Sequence, residues 1–113
     1  MGSPITTHVL DTATGRPAAG LTIRLWRHEG DTWVELAAGE TNADGRITDL
    51  LAEGSLTPGE YRMEFSTGDY LAASGRSGFY PRVTVDFTIE ATDDHYHVPL
   101  LLSPFGYSTY RGS

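Results

Sequence analysis

Apolar residues recur at every second position along several stretches of this chain, and a period of two allows a strand with one buried face and little else. Leu21, Ile23 and Leu25 alternate with Thr22, Arg24 and Trp26. Tyr61, Met63 and Phe65 alternate with Arg62, Glu64 and Ser66, and Val83, Val85, Phe87 and Ile89 alternate with polar neighbours. Turn signals separate the stretches: Thr14-Gly15-Arg16-Pro17, Glu29-Gly30-Asp31, Asn42-Ala43-Asp44-Gly45, Thr57-Pro58-Gly59, Thr92-Asp93-Asp94 and Ser103-Pro104-Phe105-Gly106. Strands are therefore expected near residues 4–11, 20–27, 32–39, 45–51, 59–66, 81–91, 95–103 and 106–111, at the close spacing of a two-sheet β-sandwich. One short helix is expected near Asp69 to Ser74, with Asp69 capping its start and Gly75 ending it.

Composition narrows the class. With 113 residues of even texture, 39% hydrophobic and 11% aromatic, residues 1–113 read as a single all-β domain, neither disordered nor membrane-spanning. There is no cysteine, so disulfides, thiolate metal sites and thiol nucleophiles are excluded. All eight basic residues are Arg, and a net charge of -7 argues against nucleic acid and anionic membranes as partners. Met1-Gly2-Ser3-Pro4 carries no basic stretch or apolar run of a secretory signal, so a cytoplasmic location is expected.

One strand departs from the one-face rule. In residues 97–102, Val98, Leu100 and Leu102 form one face, while His97, Pro99 and Leu101 form a second that is also apolar apart from its histidine. Such a strand needs cover on both sides, which predicts a homo-oligomer whose interface carries His97. Pro99, lacking an N–H, points to an edge or a bulge. In the first strand, Ile5, Thr7 and Val9 are placed inward, which turns Thr6, His8 and Leu10 the other way, as His97 is turned. Two histidines with an arginine on one surface would make a proton-transfer site near neutral pH, and Arg46, directly after the Asp44-Gly45 turn, is the candidate.

Plainer readings stand beside these. A strand histidine is more often packed or solvated than catalytic, Arg46 alone reads as a surface charge, and His28 lies in a turn. His95 and His97, two apart, suggest a metal pair, but two ligands make no site. Asp11 is expected to serve the turn after the first strand, and Trp26 and Trp33 to pack across a hairpin. The final Tyr110-Arg111-Gly112-Ser113 joins an aromatic ring, a guanidinium, a glycine and a hydroxyl, a set suited to binding.

The segment His97-Val98-Pro99-Leu100-Leu101-Leu102-Ser103-Pro104-Phe105-Gly106-Tyr107-Ser108-Thr109-Tyr110-Arg111-Gly112-Ser113 resembles the C-terminal signature of the 5-hydroxyisourate hydrolases, the transthyretin-related enzymes of urate breakdown. Ile5-Thr6-Thr7-His8-Val9-Leu10-Asp11 with Gly15-Arg16-Pro17-Ala18, and Asn42-Ala43-Asp44-Gly45-Arg46, are similar to two further motifs of that family. The resemblance implies an eight-stranded transthyretin-like sandwich with one short helix, assembled as a tetramer, a dimer of dimers, with sites in the cleft between dimers. It implies catalytic roles for His8, Arg46, His97 and Ser113, substrate binding by Tyr110, Arg111 and Gly112, and no metal or cofactor. In transthyretin itself, the family's hormone carrier, a lysine stands at position 8, a glutamate at position 46, and the terminal tetrapeptide is absent. A non-catalytic carrier and a monomeric accessory sandwich remain the competing classes.

Overall fold

Each alternating stretch becomes a strand with its apolar set turned inward. In the computed structural model, which describes residues 2–113, the strands are β1 (Ile5–Asp11), β2 (Arg16–Pro17), β3 (Thr22–Glu29), β4 (Thr32–Glu40), β5 (Arg46–Ile47), β6 (Gly59–Phe65), β7 (Val83–Ile89), β8 (Tyr96–Ser103) and β9 (Gly106–Thr109), with one helix, α1 (Thr67–Ala73). Two sheets face each other. One runs β2-β1-β8-β9 with β5 also on β1, and the other runs β4-β3-β6-β7. Ile5, Val9, Leu21, Ile23, Leu25, Tyr61, Met63, Phe65 and Leu100 are fully buried between them.

The strand count differs from expectation at one place. Residues 45–51 form only the two-residue β5, and Arg16–Pro17, expected as turn, pairs with Leu10–Asp11, which gives nine strands among the described residues. The cause is that two short segments share one edge of β1. They meet at Val9, whose N–H donates to the Gly45 carbonyl and whose own carbonyl accepts from Ala18. Neither can lengthen without displacing the other. The last strand is also shorter than expected, ending at Thr109.

Pro99 occupies neither an edge nor a bulge. It lies in β8, between β1 on one side and β9 on the other. Leu100 sits opposite Thr109, and the same register returns at the His97–Gly112 bridge, with a gap opposite Pro99 where no N–H is available. The Pro99 carbonyl is satisfied by the Thr109 hydroxyl at 2.7 Å instead. The proline therefore shortens β9 without ending the pairing of the tail.

The helix starts earlier than expected. Ser66 is its N-cap, without a side-chain cap bond, and Asp69 lies within the first turn, where its charge suits the helix dipole. Gly75 does end it: at φ +75° it closes the last turn with Gly75 N–H to Ala72 O and Arg76 N–H to Leu71 O. In the second sheet, Trp33 packs across its hairpin against His28, with ring centroids 4.7 Å apart, and carries the Arg62 guanidinium 4.1 Å above its ring. Trp26 faces Glu35 and Arg62 on the neighbouring strands.

Asp11 does more than serve a turn. Fully buried at the end of β1, it accepts from the backbone N–H groups of Ala13 and Thr14, from the Tyr70 hydroxyl at 2.9 Å and from Arg76 Nη2 at 2.6 Å. Helix and first strand are thus tied through one carboxylate. Burial alone would raise its pKa, but the hydrogen bonds from Arg76, Tyr70 and Thr14 outweigh burial and hold it below 3.8. Its stabilisation is complete above that ordinary value and is lost as acid protonates the folded state. Replacing Arg76 with Met is expected to lower stability by about 1.5–3 kcal/mol at pH 7. Urea melts at stepwise lower pH are expected to show that deficit narrowing as the pH falls through 3.8.

Candidate active site

The outer face of the first sheet is set by the parallel pairing of β1 with β8. Thr6 lies opposite His97, His8 opposite Pro99, and on the other side of β1 His8 lies opposite Arg46. Residues in register across strands share a face. Two adjacent rows result, Arg46–His8–Pro99 and Thr6–His97–Gly112, and they hold three of the four residues expected to be catalytic. The inward set alternates with them: Ile5, Thr7 and Val9 are fully buried, and the buried Thr7 hydroxyl donates to Val98 O at 2.6 Å.

Arg46 is placed by its turn. Asn42 Oδ1 accepts from the N–H groups of Asp44 and Arg46, and Asn42 N–H donates to the Arg46 carbonyl, closing the loop just before β5. Gly45 is required there for two reasons. Its φ is +73°, and a Cβ would stand 2.5 Å from the Val9 carbonyl oxygen.

The ring of His97 is fixed on both sides. Its Nδ1 is 2.9 Å from Thr6 Oγ1, toward β1, while its Cδ2 edge faces the tail so closely that a Cβ on Gly112 would come within 2.5 Å. Gly112 N–H donates to the His97 carbonyl at 2.9 Å. The glycine of the terminal tetrapeptide is therefore needed for close approach to an imidazole. With Nδ1 beside Thr6 and Cδ2 against the tail, Nε2 is the ring nitrogen left to act as a base.

The two histidines are kept neutral by their setting. Burial, then the Arg46 charge, lowers the pKa of His8 from 6.5, against an opposing pull from the Asp44 carbonyl and carboxylate. Burial lowers that of His97 too, followed by the charges of Arg46, His8 and His95. A neutral imidazole has a lone pair to accept a proton, so the patch holds bases ready near neutral pH.

The tail divides between two faces. Arg111 turns away from His97, lying over the Tyr96 ring at 4.6 Å with a nitrogen 3.7 Å from Asp94, beside a cavity of about 240 Å3 lined by Val85, Phe87 and Val98. Tyr110 and Ser113 are exposed. Two further residues join the site: Thr6, whose hydroxyl lies between two imidazoles, and His95, weighed from sequence only as half of a metal pair, 3.1 Å from that hydroxyl through Nε2. Thr6 was legible as outward-facing; that its hydroxyl reaches both rings follows only from the strand pairing. Among the described residues, no three His, Cys, Asp or Glu side chains gather to hold a metal ion, and no helix is long and apolar enough to cross a membrane.

The HIUase/Transthyretin family model matches residues 5–112. The chain belongs to that family. It is 51% identical over 113 residues to the 5-hydroxyisourate hydrolase of Mus musculus, covering 98% of this chain and 96% of the relative. It is 51% identical over 117 residues to that of Mesorhizobium japonicum, covering 99% and 94%. Among solved structures, the Klebsiella pneumoniae 5-hydroxyisourate hydrolase aligns with a TM-score of 0.84 at 43% identity, over 96% of this chain and 98% of that one. Sea bream transthyretin in complex with thyroxine aligns with a TM-score of 0.92 at 33% identity, over 97% and 95%. The transthyretin-like sandwich is thus the fold of this family member.

Replacing Arg46 with Met removes the cation that both imidazoles share. Proton NMR titration of the histidine rings is expected to show His8 and His97 titrating below 6.5 in the native chain. Both inflections are expected to move up toward 6.5 in the variant.

Proposed function

We infer that this chain is a 5-hydroxyisourate hydrolase and that His8, Arg46 and His97 carry its chemistry. One conjunction supports the reading: a chain 46–51% identical along nearly its whole length to curated hydrolases presents two neutral imidazoles and a guanidinium in register on one face. Fold likeness alone would not choose, since the thyroxine-bound carrier aligns with the higher TM-score.

In the mechanism we favour, water attacks a carbonyl of the six-membered ring while His97 Nε2 takes the water proton. Arg46 offsets the negative charge that builds on the attacked oxygen. The carbon–nitrogen bond then breaks, His97 returns the proton to the departing nitrogen, and the ring opens to 2-oxo-4-hydroxy-4-carboxy-5-ureidoimidazoline. His8, one row away, orients the water or exchanges its proton. Gly112 brings the tail against His97 so that Ser113 closes the site, Tyr110 borders it, and Arg111 anchors the tail on Tyr96. None of these steps calls on a metal or organic cofactor.

The working form in this reading is a cytoplasmic homotetramer, a dimer of dimers, with sites between dimers. Support comes from Leu10 and Leu101, half-buried beside the imidazoles, from β7 and β9 ending their sheets, and from Phe105 and Tyr110, 76% and 59% exposed at either end of β9. Size-exclusion chromatography is expected to give about four times the 12.3 kDa chain mass.

His97→Asn and His8→Asn are expected to lose on the order of 10²–10⁴ in turnover of freshly generated 5-hydroxyisourate, after its spontaneous decay is subtracted. Near-native turnover in both would sink the mechanism. A chain ending at Thr109 is expected to lose most activity while keeping its fold, because the described contacts of the tail with the sheet lie beyond the last strand.

A further inference from the structure

The Thr6 hydroxyl has one hydrogen and stands between two imidazole nitrogens, His97 Nδ1 at 2.9 Å and His95 Nε2 at 3.1 Å. It can donate to only one of them and must accept from the other if both bonds are made. The chain of hydrogen bonds therefore runs in one of two directions. In the first, His97 Nδ1–H donates to Thr6 Oγ1, and the hydroxyl donates to His95 Nε2. In the second, every donor is reversed and the proton of neutral His97 sits on Nε2.

Only the first direction leaves a base in the site. His97 Nδ1 is committed to Thr6 and Cδ2 to the tail, so Nε2 is the nitrogen left to act as a base, and His97 shares its face with Arg46 and His8. A proton there would remove the lone pair that accepts from water. Resting on the hydrolase reading above, we propose that Thr6 is a positioning residue: its hydroxyl, oriented by His95, holds His97 in the tautomer with Nδ1 protonated and Nε2 free.

Two physical arguments favour that direction. A bare nitrogen lone pair on the Arg46 face is favoured by the guanidinium charge. When Nε2 takes a proton from water, Nδ1–H goes on donating to the same hydroxyl, so no group need reorient as charge develops. The bond also restrains the ring from turning, with Gly112 closing the opposite side.

The test is a tautomer measurement with kinetics beside it. Long-range ¹H–¹⁵N NMR on histidine-labelled protein at pH 8 is expected to show His97 as the Nδ1–H form. Thr6→Val, which keeps the shape and removes the hydroxyl, should lose that preference and lower kcat by roughly ten- to a hundredfold, as loss of an orienting partner does elsewhere, with little change in KM. Thr6→Ser should restore both. His95→Phe should give a smaller loss in kcat, and native kcat in that variant would overturn the part given to His95. His97 found protonated on Nε2 in the native chain, or Thr6→Val with native tautomer and kcat, overturns the proposal. Unimpaired turnover in His97→Asn would instead strike the hydrolytic reading, leaving the NMR result to decide the tautomer on its own.

Discussion

The parallel pairing of β1 with β8 is the contact on which the rest of this structure depends. Seven consecutive residue pairs, Ile5 with Tyr96 through Asp11 with Leu102, join the two ends of the chain at the centre of one sheet. A parallel pair needs a long crossover, and here the whole second sheet and the helix lie in between. Because side chains alternate, a slip of one residue would send His8 and Thr6 into the core and Thr7 out of it. The buried Thr7 hydroxyl, bonded to Val98 O, penalises that slip directly.

Local charge then runs against global charge. The protein carries a net charge of -7, yet Arg46, His8, His95 and His97 share one face of the first sheet. Some of the acidic groups are held in ion pairs, such as Arg62 with Asp86 and Arg76 with Asp11. Within the patch, burial and the Arg46 charge both disfavour a charged imidazole, so the rings stay neutral at a pH where a free histidine would begin to titrate. The stabilising effect of that neutrality is present above 6.5 and is lost as the pH falls below it.

Much of this was legible in the residue order. Alternation alone placed Ile5, Thr7 and Val9 inward and His8 outward, because a strand's period of two is rigid. It also flagged the second apolar face of β8. What alternation does not carry is partnership: that Arg16–Pro17 and Arg46–Ile47 divide one edge of β1, or that β8 is internal despite Pro99, depends on contacts between distant segments. The helix start differs from the sequence signal for a related reason. Asp69 has the chemistry of a cap, but the chain turns into the helix at Ser66, where Gly68 N–H is taken by the Pro81 carbonyl. The tail's residue types suggest a set of binding groups, whereas Gly112 meets His97 through its lack of a side chain and Arg111 seats on the Tyr96 ring.

The likeness to both a 5-hydroxyisourate hydrolase and a thyroxine-bound transthyretin turns on how little of the scaffold the outer face touches. Along β1 and β8 the core residues alternate with those of the outer face, apart from Pro99, which is buried on the outer face. Positions 6, 8, 46 and 97 can therefore change while Ile5, Val9, Val98 and Leu100 hold the sandwich together. The constraint falls instead on backbone approach. Gly45 must sit against the Val9 carbonyl to bring Arg46 opposite His8, and Gly112 must sit against the His97 ring to bring the tail to the site. Two glycines thus shape the site along with the charged groups: a guanidinium can be re-aimed from another rotamer, whereas a Cβ at Gly45 would meet the Val9 carbonyl and one at Gly112 would press on the His97 ring.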